Sequence, residues 1–373
     1  MVPARVRAVG TAPVSARRDV RPVRFRPTST ILLAAGLALW AVAAAPAVAS
    51  AHGQVSGPPD VGMLLTGWSF DIEIWLPLAL AAWGYLVLVR AVDRAHPTNR
   101  VPRRRVWCWM VGLGMLLLAT ESVIGAYDTT LFTVHMTQHL LLTMVAAPLL
   151  LLGAPVTLLL RASSSEVRRR WILPVLHSRV VRTLSNPFVA WTLFAAVMWT
   201  SHFSPLFEAA LEDPLTHELE HLIYLTAALL FWWPVVGVDP APRRLSHPMR
   251  VGYLMVGMPF SSFLGLAIFS ATTVLYAHYA NLPRSWGQTP LDDQSWAGGI
   301  MWAGGDLVFF IAMVLAVMTW LRSEEIEERR MDALLDHQAA RSASRAAGAA
   351  PVVSPVSAES APPRSAPAVV PPQ

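Results

Sequence analysis

Two pairs of histidines have the spacing of metal ligands on a helix. The first pair is His135 and His139 in "VHMTQHL", and the second is His217 and His221 in "THELEH". Residues four apart on an α-helix lie about 40° apart around the axis and about 6 Å apart along it, so each pair shares one face. Neutral imidazole binds zinc, copper and iron well. The spacing therefore predicts two helix faces that can each offer a metal two nitrogen ligands.

Residues beside the pairs extend the possible ligand set. Met136 could add a soft thioether, which favours Cu(I), and Met144 lies about two turns further on roughly the same face. Glu218 and Glu220 flank the second pair, and either carboxylate could orient an imidazole by hydrogen bonding. Each feature also has a structural interpretation, because methionines pack apolar cores and histidines form hydrogen bonds between membrane helices.

The elements that must position these residues are membrane helices. Of the 373 residues, 54% are hydrophobic and 14% are charged, whereas about 25% of residues in soluble domains are charged. The apolar residues come in blocks about 20 long, the length with which a helix crosses the hydrocarbon core. We therefore predict an all-α polytopic membrane bundle with seven spans, at 69–90, 106–127, 131–160, 187–207, 215–237, 250–276 and 298–321.

The regions around these spans differ in composition. Residues 1–30 hold seven arginines and no apolar block, which predicts a disordered cytoplasmic leader. Residues 31–51 are apolar and end in "ASA", which is typical of a signal peptide, with an extra uncleaved span as the alternative. The other predicted segments are an outer segment 52–67, the seven-span domain 68–321, a charged cytoplasmic helix 322–345 and a disordered Ala/Pro/Ser tail 346–373.

The placement of arginine predicts the orientation of the bundle. All 29 basic residues are arginines, and the connections after spans one, three and five hold six, six and three of them. The other connections hold only Arg284 and carry acids instead. Because basic loops stay in the cytoplasm, we expect a bacterial plasma-membrane protein with its mature N-terminus outside and its C-terminus in the cytoplasm.

The placement of arginine and the cysteine count argue against nucleic-acid binding and against sites that need paired cysteines. The arginines are spread over several short loops, so they do not indicate nucleic-acid binding. The single cysteine, Cys108, excludes an internal disulfide and a metal site built on a pair of cysteines.

In this orientation seven of the eleven histidines lie on the outer side: His52, His135, His139, His202, His217, His221 and His278. Asp213-Pro214 predicts a capped start for span five, and Asp128-Thr129-Thr130 predicts a similar start for span three. Each pair then lies one to two turns inside its span, so the four imidazoles can meet if the helices are neighbours.

The other outer histidines have weaker signals. His202 and His278 could be rim ligands or ordinary polar residues at the membrane interface. Cleavage after Ala51 would leave His52 at the N-terminus, where its amine and ring could bind copper.

Three acids inside spans, Glu73, Glu121 and Asp306, are either functional residues or structural hydrogen-bond partners.

Three blocks of the sequence together resemble a known family. They are "HMTQHLLLTMVAAPLLLLGAP", "HELEHLIYLTAALLFWWPVVG" and "DQSWAGGIMWAGGDLVFF". In this order they resemble the CtaG-type cytochrome c oxidase assembly factors, the multi-span, Bacillus-like type, and the resemblance runs from about Trp68 to Trp320. It implies a non-enzymatic role in the biogenesis of the haem–copper oxidase of the respiratory chain, through copper supply on the outer side of the membrane. The family's histidine motifs match His135, His139, His217 and His221.

The implied partners are the lipid bilayer, cytochrome c oxidase subunits and a copper donor protein. Haem is the alternative cofactor, since two His-x-x-x-His helices could clamp it by axial ligation, as in an electron-transfer or haem-handling protein. A structural scaffold is the third interpretation. Hydrolase chemistry is the least favoured interpretation, although "HELEH" has the H-E-x-x-H spacing of zinc proteases.

Overall fold

The computed structural model describes residues 57–348. The predictions for the leader, the signal peptide, His52 and most of the Ala/Pro/Ser tail lie outside these residues. The chain divides into two units, residues 1–317 and residues 318–373. The first unit contains the bundle of helices, and the second is helical throughout the part that the structure describes.

The fold is all-α across the described residues, which confirms the predicted fold class. In chain order the main helices are α1 (Ile72–Ala95), α2 (Arg103–Tyr127), α3 (Phe132–Ala162), α4 (Pro187–His202), α5 (Pro205–Glu212), α6 (Pro214–Val236), α7 (His247–Phe269) and α8 (Pro290–Ser342). All of them except α4 and α5 are long and apolar enough to cross a membrane, which makes six candidate spans within residues 57–348.

Within the described residues the structure thus has six candidate spans, one fewer than the seven predicted. The expected fourth span, 187–207, is the 16-residue helix α4. At about 1.5 Å per residue α4 is about 24 Å long, which is shorter than the hydrocarbon core. The helix stops because Pro205 cannot continue it. Pro205 instead opens α5, where Ser204 Oγ accepts a hydrogen bond from Leu206 N at 3.3 Å.

Helix α4 nevertheless returns the chain along the bundle. It packs antiparallel to α6, because Ser201 is hydrogen-bonded to Tyr224 while Phe194 lies against Phe231, with 4.8 Å between the ring centroids. The chain thus leaves the end of α3 and starts α6 beside the start of α3. Helices α3 and α6 consequently run parallel, and this arrangement brings their histidine pairs to the same end.

The two ends of the bundle differ in chemistry. At one end Arg161 donates a hydrogen bond to Asn99 O. Asp239 accepts one there from Thr157 N at 2.6 Å. These contacts join the three connections that carry most of the arginines of residues 57–348. The histidine pairs lie in the first turns of α3 and α6, at the opposite end.

Helix α8 begins at Pro290 rather than at residue 298. Thr289 Oγ1 caps it by accepting a hydrogen bond from Asp292 N at 3.2 Å. Asp293, which we predicted in a connection, therefore lies in the first turn of a helix and is only 3% exposed. Helix α7 ends at Phe269, several residues before the predicted end of span six.

Helices α3 and α8 each contain a π-helical segment, Leu141–Ala146 and Ile300–Gly304. Just before the second segment, α8 lies almost in backbone contact with α7. A Cβ atom on Gly298 would lie 2.5 Å from Phe269 N, which no real side chain tolerates. Glycine at this position therefore sets the distance between α7 and α8.

Candidate metal centre

The four paired histidines lie together at one end of the bundle. Within each pair the ring centroids are close, at 4.2 Å for His135–His139 and 4.3 Å for His217–His221. Between the pairs, His135 lies 5.2 Å from His217 and His139 lies 6.0 Å from His221. All four side chains are buried. The four imidazoles thus face one another across the contact of α3 with α6.

A carboxylate lies at the centre of this group. Glu220 is buried, and its Oε2 atom lies 3.9 Å from His135 Nε2 and 3.8 Å from His139 Nε2. One ligand atom each from His135, His217 and Glu220 lie within 4.8 Å of one another. The sequence suggests that Glu218 or Glu220 could orient an imidazole. The position of Glu220 also makes it a candidate ligand.

A second acid and an amide extend the group on the other side. Asp128 Oδ2 lies 4.0 Å from His217 Nε2 and accepts a hydrogen bond from Gln138 Nε2 at 2.9 Å. Gln138 Oε1 is 3.1 Å from His221 Nε2. Sequence reasoning missed Gln138, although it lies inside "VHMTQHL", one residue before His139. From the sequence, Asp128 is predicted only as part of the start of α3.

Several polar atoms at the centre have no hydrogen-bond partner within residues 57–348. They are Nε2 of His135, both ring nitrogens of His139 and Oε2 of Glu220. A buried polar atom without a partner costs about 1–3 kcal/mol. Nitrogen and oxygen lone pairs that converge without protein partners are what a metal ion requires of its ligands. The donor set therefore fits an ion.

The starts of the two helices are held in different ways. Asp213 caps α6 as predicted, with its carboxylate accepting a hydrogen bond from Thr216 N at 2.8 Å. The hydrogen bonds from Thr216 hold the pKa of Asp213 below its usual value. His217 and His221 therefore occupy the first two turns of α6, at the depth expected from the cap.

The predicted cap of α3 is wrong. No side chain of Asp128, Thr129 or Thr130 caps this helix, and its N-cap residue is Leu131. Asp293 of α8 performs the role from another helix, because its carboxylate accepts hydrogen bonds from Phe132 N at 2.9 Å and Thr133 N at 3.1 Å. A buried carboxylate that accepts two backbone N–H groups satisfies donors that every helix start leaves open.

The connection before α8 also contacts this end of the bundle. Arg284 Nη1 lies 3.4 Å from Asp293 Oδ2 and supports the carboxylate that caps α3. Tyr279 Oη donates to Asp128 O at 2.7 Å. Burial raises the pKa of Tyr279, which keeps this hydroxyl protonated and able to donate. These contacts fix the start of α3 and hence the first histidine pair.

The other predicted ligands lie around the group rather than in it. His202 is buried, its Nδ1 lies 2.7 Å from Met198 O, and its ring centroid lies 6.2 Å from that of His139. His278 is half-buried and its Nε2 lies 2.8 Å from Thr129 O. Met136 packs in the apolar core.

The acids inside spans have structural partners away from the histidines. Glu121 is buried and accepts hydrogen bonds from Asp71 N and Trp75 Nε1, each at 3.0 Å. Ser262 Oγ donates to Asp306 at 2.6 Å. Glu73 lies in the first turn of α1. These contacts favour the structural interpretation for Glu121 and Asp306.

Comparison with known proteins identifies the family. The model of the cytochrome c oxidase caa3 assembly factors matches residues 83–323. The chain belongs to this family. The match covers the helices that carry both histidine pairs, Glu220 and Asp293, so the whole candidate site lies inside the part of the chain that the family model matches.

Similar proteins occur in mycobacteria. The chain is 34% identical to an uncharacterized protein of Mycobacterium bovis over 286 residues, which is 75% of this chain and 43% of the relative. It is 32% identical to one of Mycobacterium leprae over 280 residues, or 73% of this chain and 42% of the relative. The chain thus spans less than half the length of these relatives. No solved structure matches it.

Proposed function

We propose that this caa3 assembly factor binds a copper ion between α3 and α6 and supplies it to the oxidase, without itself catalysing a reaction. The observation that carries the proposal is the buried group of His135, His217 and Glu220, whose ligand atoms lie within 4.8 Å of one another. His139 lies beside Glu220 and offers a fourth ligand at the same place. Membership of the family suggests the oxidase as the protein that receives the copper.

The ligand chemistry supports copper as the ion. Imidazole nitrogens with a carboxylate oxygen suit Cu(II), and among divalent first-row metals such sites bind copper most tightly. Two buried carboxylates, Glu220 and Asp128, lie next to the imidazoles and can balance the charge of a divalent cation. A buried cation without such countercharge would be expensive.

The proposal places the site on the outer side of a bacterial plasma membrane. The three arginine-rich connections lie at the end of the bundle opposite the histidines, and basic connections stay in the cytoplasm. The site would then face the compartment in which a copper donor protein can deliver the ion and oxidase subunits can receive it. A position near the membrane interface suits an ion that must be exchanged between partners.

Haem is less well supported than a single ion. A bis-histidine haem needs a planar macrocycle between its two axial imidazoles. The ring of Phe207 lies 5.0 Å from that of His135, and the ring of Tyr224 lies 4.5 Å from that of His139. A macrocycle would have to displace these aromatic side chains. A pure scaffold is also less well supported, because a helix-bonding histidine would use its ring nitrogens, and those of His139 have no hydrogen-bond partner in residues 57–348.

Metal and haem analysis of the purified protein tests the proposal. After loading with Cu(II), we expect about one Cu(II) ion per chain in the wild type. We expect its loss in a His135→Ala/His217→Ala/Glu220→Gln variant. A His96→Ala/His177→Ala variant is the control, because both of those histidines are exposed and belong to arginine-rich connections at the other end of the bundle.

The same variants should be compared in cells that depend on the oxidase. Oxidase activity should fall in the triple variant and persist in the control. A haem absorption band in the purified protein, or full oxidase activity with the triple variant, would refute copper handling at this site.

A further inference from the structure

A second set of possible ligands lines a cavity beside the histidine group. The cavity is bordered by α3, α4, α6, α7 and α8. Its lining includes four methionines: Met136, Met144, Met198 and Met301. The whole chain has 14 methionines. Four of them therefore meet at one cavity, although they come from three different helices.

The two π-helical segments of α3 and α8 bring two of these methionines to the cavity. Met144 lies in the segment Leu141–Ala146, and Met301 lies in the segment Ile300–Gly304. A π-helical turn changes the direction of the side chains that follow and is frequent at functional sites. Both segments line the same cavity.

Two histidines complete the lining with nitrogen ligands. His139 and His202 both border the cavity and are 5% and 3% exposed. The Nδ1 atom of His202 is engaged with Met198 O, whereas its Nε2 atom has no hydrogen-bond partner among the described residues. Both ring nitrogens of His139 also lack one there. The cavity therefore offers unpaired nitrogens next to thioether sulphurs.

The charge of the lining favours a monovalent ion. No Asp, Glu or Arg is among the residues that line the cavity within the described part of the chain. Removing an ion from water costs free energy that rises steeply with its charge, so a site without countercharge disfavours a divalent cation. Thioether sulphur is a soft ligand and binds Cu(I) in preference to harder ions.

We propose that this methionine-lined cavity is a Cu(I) site, distinct from the group of His135, His217 and Glu220. Its ligands are methionine sulphurs, with His139 or His202 as the nitrogen ligand. His139 borders the cavity and also lies beside Glu220, so the two sites adjoin. The inference rests on the proposed function only for copper as the cargo, since the ligand set itself selects for a soft monovalent ion.

Cu(I) titration of the purified full-length protein under anaerobic conditions tests the inference, with a chromophoric Cu(I) chelator as competitor. A Met144→Leu/Met301→Leu variant removes two sulphurs, and leucine keeps a similar side-chain volume. We expect its Cu(I) affinity to fall by about tenfold or more. A Met115→Leu/Met313→Leu variant is the matched control, because both methionines are partly buried in the apolar packing and lie outside the cavity.

X-ray absorption of the Cu(I)-loaded protein gives a second readout that does not depend on folding of a variant. Sulphur ligands to copper in the wild type support the inference. Coordination by nitrogen and oxygen alone, or equal Cu(I) affinity in the two double variants, would overturn it. If the cavity holds an apolar ligand instead of Cu(I), the two double variants would have equal Cu(I) affinity.

The two proposals fail in different ways. The His135→Ala/His217→Ala/Glu220→Gln variant keeps all four methionines, His139 and His202. It should lose Cu(II) and retain Cu(I) affinity within about twofold of the wild type. Loss of both ions in this variant would refute a separate Cu(I) site. Cu(I) bound through sulphur, with no Cu(II) bound by the wild type, would refute the nitrogen–oxygen site alone.

Discussion

Glu220 Oε2 lies 3.9 Å from His135 Nε2, although the two residues belong to different helices. Both atoms are buried and neither has a hydrogen-bond partner within residues 57–348. At this distance the two atoms are too far apart for a good hydrogen bond but close enough to share one ion. The contact of α3 with α6 is therefore built around a pair that a metal would complete.

The first prediction concerns the carboxylate itself. Glu220→Gln keeps the size of the side chain but replaces a charged oxygen ligand by a neutral amide. We expect copper affinity to fall by about tenfold or more, since the amide is a weaker ligand and removes the countercharge of the cation. Isothermal titration with Cu(II) and the purified protein measures this change.

Glu218→Gln provides the control for Glu220→Gln. Glu218 is on the same turn of α6 but is half-exposed, with its Oε2 3.9 Å from His221 Nδ1. Its substitution should change the affinity by less than about threefold. Equal losses in the two variants would mean that overall charge, and not ligation by Glu220, sets the affinity.

A second prediction follows from the cap that α8 provides for α3. Asp293→Ala leaves the backbone N–H groups of Phe132 and Thr133 without their acceptor and leaves Arg284 without its buried partner. We expect the protein to lose about 2 kcal/mol or more of stability. Thermal unfolding in detergent measures the loss, and copper binding should weaken because the cap positions the first histidine pair.

The adjacent Asp292→Ala is the comparison for Asp293→Ala. Asp292 is in the same turn of α8, but its side chain is exposed and bonds only to Thr289 among the described residues. It should lower the unfolding temperature much less and leave copper binding unchanged. If Asp292→Ala lowers the unfolding temperature more than Asp293→Ala does, this turn stabilises mainly the start of α8 and not the start of α3.

The third prediction concerns the close approach of α7 and α8. Gly298→Ala would place a Cβ atom 2.5 Å from Phe269 N, so the two helices must separate. Overpacking of this kind costs about 1–3 kcal/mol. Because Met301 lies one turn further along α8, the variant should also weaken Cu(I) binding in the cavity.

Gly299→Ala tests whether this cost comes from the contact rather than from helix propensity. A Cβ atom on Gly299 would lie 3.7 Å from the ring of Phe269, which is an ordinary contact. Alanine is also favoured over glycine inside a helix by about 1 kcal/mol. Gly299→Ala should therefore be neutral or stabilising. A similar loss of stability in both variants would contradict the close approach.

These residues show which parts of the fold and site can be predicted from sequence. The all-α fold and the position of each histidine pair depend on local patterns: apolar runs, the spacing of four, and the Asp213-Pro214 start of α6. Each is a property of one segment of chain. The structure agrees with them for that reason.

The parts that sequence reasoning missed depend on which helices are neighbours. Asp293 caps α3 across the bundle, and Gln138 of α3 bridges Asp128 and His221 of α6. Neither relationship has a signal in the residues nearby. The short α4 was missed for a local reason, since the apolar pattern continues past His202 and the break at Pro205 was included in the span.

The fourth prediction tests the orientation on which copper delivery depends. In a Cys108→Ala background, which removes the single cysteine, Gln288→Cys and Ser165→Cys place one exposed thiol at each end of the bundle. Gln288 lies in the connection before α8, at the end with the histidines, and Ser165 lies in an arginine-rich connection. A membrane-impermeant maleimide added to intact cells should label Gln288→Cys alone. Ser165→Cys should react only after permeabilisation, because basic connections stay in the cytoplasm. The reverse pattern would put the histidine group on the cytoplasmic side and would rule out delivery of copper from outside.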